Sequence, residues 1–247
     1  MPKRSRAVLA IVASIVAVAC QTPVPRPQGL ESAVPEFPES AYRQAANQGE
    51  AVYDLDPAES RLRVLVFAAG PLADLGHTHV VVAGRFRGAV ALPRGDVTDA
   101  RLDLVVPVAA LQVDPPAARR ALGGDFAEPL DAADRQGTRD HMLGPALLDS
   151  DTYPRVAVTL AGVRGALPRP ILDLTIHVHG GTTTVAVPAA VTVNGDRLTA
   201  DGRLILRQTD LGLTPYSAAG GALQVADPLV VEFHVVGSRR EQGGEKR

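Results

Sequence analysis

Residues 171–207, ILDLTIHVHGGTTTVAVPAAVTVNGDRLTADGRLILR, alternate apolar and polar side chains over a longer run than any other part of the chain, and this restricts the fold most. Read with period two, Leu172, Leu174, Ile176 and Val178 fall on one face. Asp173, Thr175, His177 and His179 fall on the other, as in a strand with one dry and one wet side. After Gly180-Gly181 the dry face continues through Val185, Val187, Ala189, Val191 and Val193. Asn194-Gly195 then supplies a two-residue hairpin turn that needs positive φ at both positions. The return segment sets Leu198, Leu204 and Leu206 against Thr199, Asp201, Arg203 and Arg207. The pattern predicts three consecutive antiparallel strands with a single apolar surface.

The same period appears on both sides of this stretch. Leu62, Val64 and Val66 oppose Arg61 and Arg63. Residues 80–92 read as a second hairpin-like unit, with Phe86, Val90 and Leu92 opposite Arg85, Arg87 and Ala89, and with Gly84 and Gly88 allowing a sharp bend. Ala100, Leu102, Leu104 and Val106 mark a further strand, as do Val156, Val158 and Leu160, and finally Leu229, Val231, Phe233 and Val235. Alternation is lost across residues 115–151, where 117–122 and 139–143 have the composition of short helices and are expected to cover an opening. Eight or nine strands with one apolar face protect their edges by closing on themselves. Eight strands leave room inside for side chains or one small ligand. The expected fold is all-β, an antiparallel barrel of about eight strands with short helices inserted between them.

The 247 residues contain one continuous run of strand-like segments, so one barrel domain is expected over residues 51–237. Residues 1–20 join a positive start, Lys3, Arg4 and Arg6, to an apolar run over 7–19 and to Cys20, the only cysteine, which has no partner for a disulfide. The run is shorter than the about 20 residues that cross a bilayer, so the segment reads as an export signal. Ala17-Val18-Ala19-Cys20 resembles a bacterial lipobox, although Ala17 stands where Leu is usual, which implies lipidation at Cys20, attachment to a membrane and a place in the cell envelope on the periplasmic side. The Pro-rich residues 21–50 read as a tether, compatible with a short helix near 40–49, and the polar residues 238–247 as a disordered tail.

The net charge of -2, with acidic and basic residues interspersed, lacks the footprint of a nucleic-acid binder. Hydrophobic residues make up 46% of the chain but aromatics only 4%, with no Trp, so the core is expected to be aliphatic.

Two His-x-His pairs, His77/His79 and His177/His179, have the spacing that puts two ligands on one face of a strand. His177 and His179 share a face with Asp173 and Thr175, and His234 with Glu232, which reads as solvated outer surface. His77/His79 lies in a loop near Asp74, but two ligands alone make a weak site, so no metal set and no cofactor is assigned. The chain has no Gly-x-Ser-x-Gly motif, and no catalytic residue is assigned. Asp140 and His141 are neighbours on a helix and point apart, which favours a structural role, while Arg139 has the chemistry to hold a phosphate or carboxylate head group at a mouth.

Several short motifs occur in a telling order. Tyr53-Asp54-Leu55-Asp56-Pro57 with Ser60 opens the domain, followed by Gly84-Arg85-Phe86, Arg139-Asp140-His141-Met142-Leu143, Tyr153-Pro154, His179-Gly180 and Asp210-Leu211-Gly212-Leu213. In this order and spacing the chain resembles the YceI-like family of exported polyisoprenoid-binding proteins with a lipocalin-like barrel. It departs from that pattern in a shorter Gly84 to Gly88 segment and in the histidines of Gly76-His77-Thr78-His79. The resemblance implies a non-enzymatic lipoprotein whose barrel binds an isoprenoid or other long-chain lipid for storage or transport. The implied ligand-binding residues are the inner-face positions Val64, Val66, Phe86, Val90, Leu102, Leu104, Val158, Leu160, Leu172, Leu174, Ile176, Val185, Val187, Leu204, Val231 and Phe233. A His-dependent metal-binding protein of the envelope is the alternative, a self-filled structural barrel a third reading, and a homodimer is left open.

Overall fold

A computed structural model describes residues 34–93 and 97–241. The expected export signal with Cys20, the part of the expected tether over residues 21–33 and the part of the expected tail over residues 242–247 lie outside the described residues.

The barrel has eight antiparallel staves, and the first three are broken at mid-height. β1 (Ala51–Leu55) and β2 (Arg61–Val66) lie end to end as the first stave. After the two-residue β3 (Ala68–Ala69), β4 (His79–Ala83) and β5 (Arg87–Leu92) form the second, with β4 on β2 and β5 on β1. β6 (Arg101–Pro107) and β7 (Leu111–Val113) form the third, paired with β5 and β4. β8 (Arg155–Arg164), β9 (Ile171–Val178), β10 (Gly181–Asn194) and β11 (Arg197–Arg207) follow as unbroken neighbours. The short β12 (Ser217–Ala218) and β13 (Leu223–Val225) make a small separate sheet with β3. The last strand, β14 (Pro228–Arg239), pairs with β11 on one side and with both β1 and β2 on the other, which closes the barrel.

The predicted meander is β9, β10 and β11, with Leu174 opposite Val185 and Leu172 opposite Val187. Its turn is displaced by one residue. Asn194 still pairs with Arg197, so the turn residues are Gly195 and Asp196, and of these only Gly195 has positive φ, at 58°. The hairpin expected over residues 80–92 is not one, because β4 and β5 are halves of a single stave and do not pair with each other. At the first break the ladder groups of Val236 stay satisfied: its carbonyl accepts from the N–H of Asp56 at 2.8 Å, and its N–H donates to the Ser60 hydroxyl at 3.0 Å.

Each break also reverses which residues point inward. Leu55 faces the interior before the first break, and Leu62, Val64 and Val66 after it. Val81 and Ala83 give way to Val90 and Leu92, and Leu104 and Val106 give way to Leu111. A bulge between Leu160 and Gly162 does the same within β8, so Val163 follows Leu160 on the inner face.

Among the described residues three α-helices flank the barrel. α1 (Glu39–Asn47) packs Tyr42, Ala45 and Ala46 against Val52, Ala89 and Ala91, whose small side chains let the helix approach the outer wall. The Tyr42 hydroxyl donates to the Asp103 carboxylate at 2.7 Å. Residues 39–47 are therefore part of the folded unit and not of a tether. The chain is likewise ordered beyond residue 237: β14 runs to Arg239, the N–H of Arg240 donates to the Val52 carbonyl, and its guanidinium pairs with Asp54 and Glu39.

α2 (Pro116–Leu122) sits on the outer wall, with Ala118 and Leu122 packed against Leu65, Val80, Phe126 and Val230, so it does not cover an opening. α3 (Ala132–Leu143) does, and it begins well before Arg139 because Asp131 caps it by accepting from the Asp134 N–H at 2.8 Å.

If α1 is a structural part of the barrel wall, Tyr42→Ala removes a side chain that is 2% exposed and lowers stability by about 3 kcal/mol in denaturant titration. An unchanged midpoint would mean that the helix is a passive extension of the tether.

Candidate functional site

The staves enclose a cavity of about 680 Å³ that follows the barrel axis. An eight-stranded interior can be filled by side chains or hold one small ligand, and here the mainly Val and Leu inner face leaves it open. All the expected interior residues except Phe86, Val185 and Val187 line this space. Phe86 instead plugs the second strand break, packed against Leu55, Leu104 and Val106 and against Leu62 and Val90. Val187 is 0% exposed and wholly covered by its neighbours, and Val185 packs against the cluster of Ile176, Val178, Leu206, Leu211 and Leu213.

The lining also takes in residues that the period-two pattern could not assign. Leu111 and Val163 follow a break and a bulge. Val97, Leu167 and Pro170 come from loops at one end, and Gly137, Thr138, His141 and Met142 come from α3 at the other. Tyr216, 43% exposed, and His141 line the α3 end and are both at the surface, so the cavity meets solvent there. Their rings stand edge to face with centroids 4.7 Å apart.

The polar lining residues are Arg63, His79, Thr138, His141, Gln208 and Tyr216. Arg63 is committed to Glu232 at 2.7 Å, and the Gln208 amide donates to the Ala226 carbonyl at 2.9 Å. His79 belongs to a buried ion network. Its Nδ1 lies 2.6 Å from Oδ2 of Asp114, while Oδ1 of Asp114 accepts from the Val80 N–H at 2.9 Å and from Nη1 of Arg119 at 2.8 Å. Asp114 is 0% and Arg119 4% exposed. The guanidinium also donates to the carbonyls of Thr78 and Glu128. Burial pushes the Asp114 carboxyl upward, but the hydrogen bonds from His79, Val80 and Arg119 outweigh it and hold the group below its ordinary value.

The His77 ring stands edge to face with that of His79, centroids 6.5 Å apart, while His177, His179 and His234 are dispersed. His177 meets Thr182 on the outer face, His179 lies against Tyr153, His234 pairs with Asp201, and His77 is 3.9 Å from Glu128. Among the described residues no group of three or more His, Cys, Asp or Glu is placed to hold a metal ion. Arg139 is not among the residues that line the cavity; its Nη2 donates to the Ala109 carbonyl at 2.9 Å and ties α3 to the third strand break. Asp140 accepts from the Gln136 amide on the exposed side of α3 while its neighbour His141 faces the cavity.

The Asp114 network makes stability depend on pH with a definite sign. A carboxyl held below its unfolded value stabilises fully above about pH 4, and the contribution disappears as pH falls through the folded-state value. Asp114→Ala, which leaves Arg119 buried without its carboxylate, lowers stability at pH 7 by about 3–5 kcal/mol. The loss relative to wild type shrinks on acidification, measured by urea unfolding across the acid range.

The model of the YceI-like domain matches residues 53–237. Among solved structures, BcnA of Burkholderia cenocepacia is similar over 74% of this chain and 98% of its own, with 18% identity and a TM-score of 0.54. The YCEI protein of Campylobacter jejuni is similar over 65% of this chain and 85% of its own, with 9% identity and a TM-score of 0.48. No curated protein sequence matches the chain. With a match that spans the whole barrel from Tyr53 in β1 to Gly237 in β14, the chain belongs to the YceI-like domain family.

Proposed function

We propose that the barrel binds one long apolar chain, an isoprenoid or comparable lipid, and does not transform it. The observation that carries this reading is the continuous cavity of about 680 Å³, lined by aliphatic side chains over most of its length and by polar groups at its α3 end. Its volume lies within the range of about 300–1,000 Å³ common to sites for small organic ligands. Burial contributes about 0.8 kcal/mol per methylene, so about ten enclosed methylenes supply about 8 kcal/mol before the cost of ordering the chain. The wet outer face, with His177 and Thr182, takes no part.

Protein purified without detergent is expected to release a long-chain lipid on extraction and to show one bound lipid by native mass spectrometry. Leu174→Asp, which puts a carboxylate into the dry interior, abolishes that adduct, whereas His177→Ala retains it; an adduct that survives Leu174→Asp in a folded barrel sinks the proposal.

Chain length is set partly by Gly202. The ring of Phe233, its cross-strand partner, lies where a Cβ on residue 202 would be, 2.2 Å from the nearest ring carbon. Gly202→Ala pushes that ring into the cavity, so the variant accepts only shorter chains while losing about 1–3 kcal/mol of stability. Equal affinity of wild type and variant for a series of chain lengths would show that the ring does not limit the space.

We further propose that the barrel is held at the envelope by a lipidated Cys20. Support comes from the sequence alone: the basic start, the short apolar run and the lipobox-like Ala17-Val18-Ala19-Cys20. Cys20→Ala is expected to move the protein from membranes to the soluble fraction, and unchanged sedimentation with membranes would refute the anchor.

A further inference from the structure

We infer that the cavity is loaded and emptied sideways, through a gap in the barrel wall between β10 and β11 that Leu211 and Leu213 close as a door. This rests on the lipid-binding reading above and adds the route by which the chain passes.

The gap begins where the ladder between the two strands ends. Residues 189–194 of β10 pair with residues 197–202 of β11, but among the described residues 181–188 pair only with β9 and 203–207 only with β14. A proline sets the limit. The Ala189 N–H donates toward the β9 side, to the Pro170 carbonyl. By the alternation of an antiparallel ladder, residue 188 therefore turns its own backbone groups toward β11, where its partner in register is Arg203. Pro188 has no N–H to give to that partner, and the pairing stops about halfway along β11.

Side chains close the gap instead. The turn after β11 carries Leu211 and Leu213, both buried, in one cluster with Ile176, Val178 and Val185 of the β9–β10 hairpin and with Leu204 and Leu206 of β11. Both also line the cavity. The hydrogen bonds of the turn run back to its own residues, to the end of β11 and to Asp227 just before β14. The N–H groups of Leu211 and Leu213 donate to the Gln208 carbonyl, that of Gly212 to the Thr209 carbonyl, and that of Thr209 to the Asp227 carboxylate. Among the described residues none crosses to β10, whose first residue only abuts the turn: the Leu211 carbonyl oxygen lies 3.0 Å from where a Cβ on Gly181 would stand. The door is thus hinged on β11 and held against β10 by apolar packing alone, so swinging it away from β10 breaks no ladder.

The outer rim of the gap suits an apolar passenger. Ala186 and Ile205 face the gap at matching register positions, and both are exposed, Ile205 at 65%. A chain leaving here exchanges Leu204 and Leu206 inside for Ala186 and Ile205 outside, without drawing its whole length through one end of the barrel.

The test straps the gap. In a full chain carrying Cys20→Ala, the changes Ala186→Cys and Ile205→Cys put two thiols on the outer rim, and a bismaleimide with a disulfide in its spacer joins them. Exchange of bound deuterated geranylgeraniol for the unlabelled compound is followed by native mass spectrometry. The strap is expected to slow exchange about tenfold or more, and reduction of the spacer to restore the rate. Leu213→Ala, shown to be folded by circular dichroism, is expected to exchange about tenfold or more faster, because the packing that holds the door is lost. An unchanged rate in the strapped protein or in folded Leu213→Ala assigns the traffic to the α3 mouth and overturns the side door. If folded wild type takes up no geranylgeraniol at all, the lipid-binding reading fails instead.

Discussion

Strand number and stagger together set the girth of an eight-stranded barrel, and whether it is then solid or hollow depends on the reach of its inward side chains. Here that reach is short. The chain has no Trp and five Phe, and its inner face is built mainly from Val and Leu, with Phe233 the one phenylalanine that lines the axis. The result is an axial space that the protein does not fill. Space of this kind is too apolar to hold water well, so its lining lacks contact partners on one side. A fitting chain restores those contacts, and by mass action it then stabilises the folded barrel as well.

The outer surface follows the opposite rule. Where the wall meets a helix, it is either small or aliphatic: Ala89 and Ala91 beneath α1, Leu65, Val80 and Val230 beneath α2. Elsewhere it carries cross-strand polar pairs such as Thr175 with Thr184 and His234 with Asp201. The same strands therefore serve two apolar environments, one on each side, and burial alone does not tell them apart. Leu65 and Val64 are neighbours in sequence, yet one packs under α2 and the other faces the cavity.

This explains what could be read from the sequence and what could not. The unbroken strands β9, β10 and β11 keep strict period two, and their inner faces were legible residue by residue. The first three staves were not, because each break reverses the inward parity, and a pattern read straight through residues 80–92 turns two halves of one stave into a false hairpin. The bulge in β8 hid Val163 for the same reason. Helix α3 is longer than its apolar pattern predicts, because its first turns, AADRQGTR, offer no apolar stripe; the signal that marks its start is the cap at Asp131. The network of His79, Asp114 and Arg119 joins residues up to 40 positions apart through the fold. Gly76-His77-Thr78-His79 stands out in the sequence, but nothing local announces that the partner of His79 is a buried carboxylate just after β7.

The position of β14 has a temporal meaning. It is the last of the described strands, and it supplies the hydrogen bonds for two edges at once, that of β11 and that of the first stave. As the polypeptide emerges from its N-terminal end, every other stave can assemble before this one, giving a curved open sheet with a greasy concave side and a lateral slot. Without residues 228–239 the other staves would make a trough, and with them they make a tube. A long chain laid in from the side during that interval need not thread through the mouth, and the arrival of residues 228–239 stitches the seam over it.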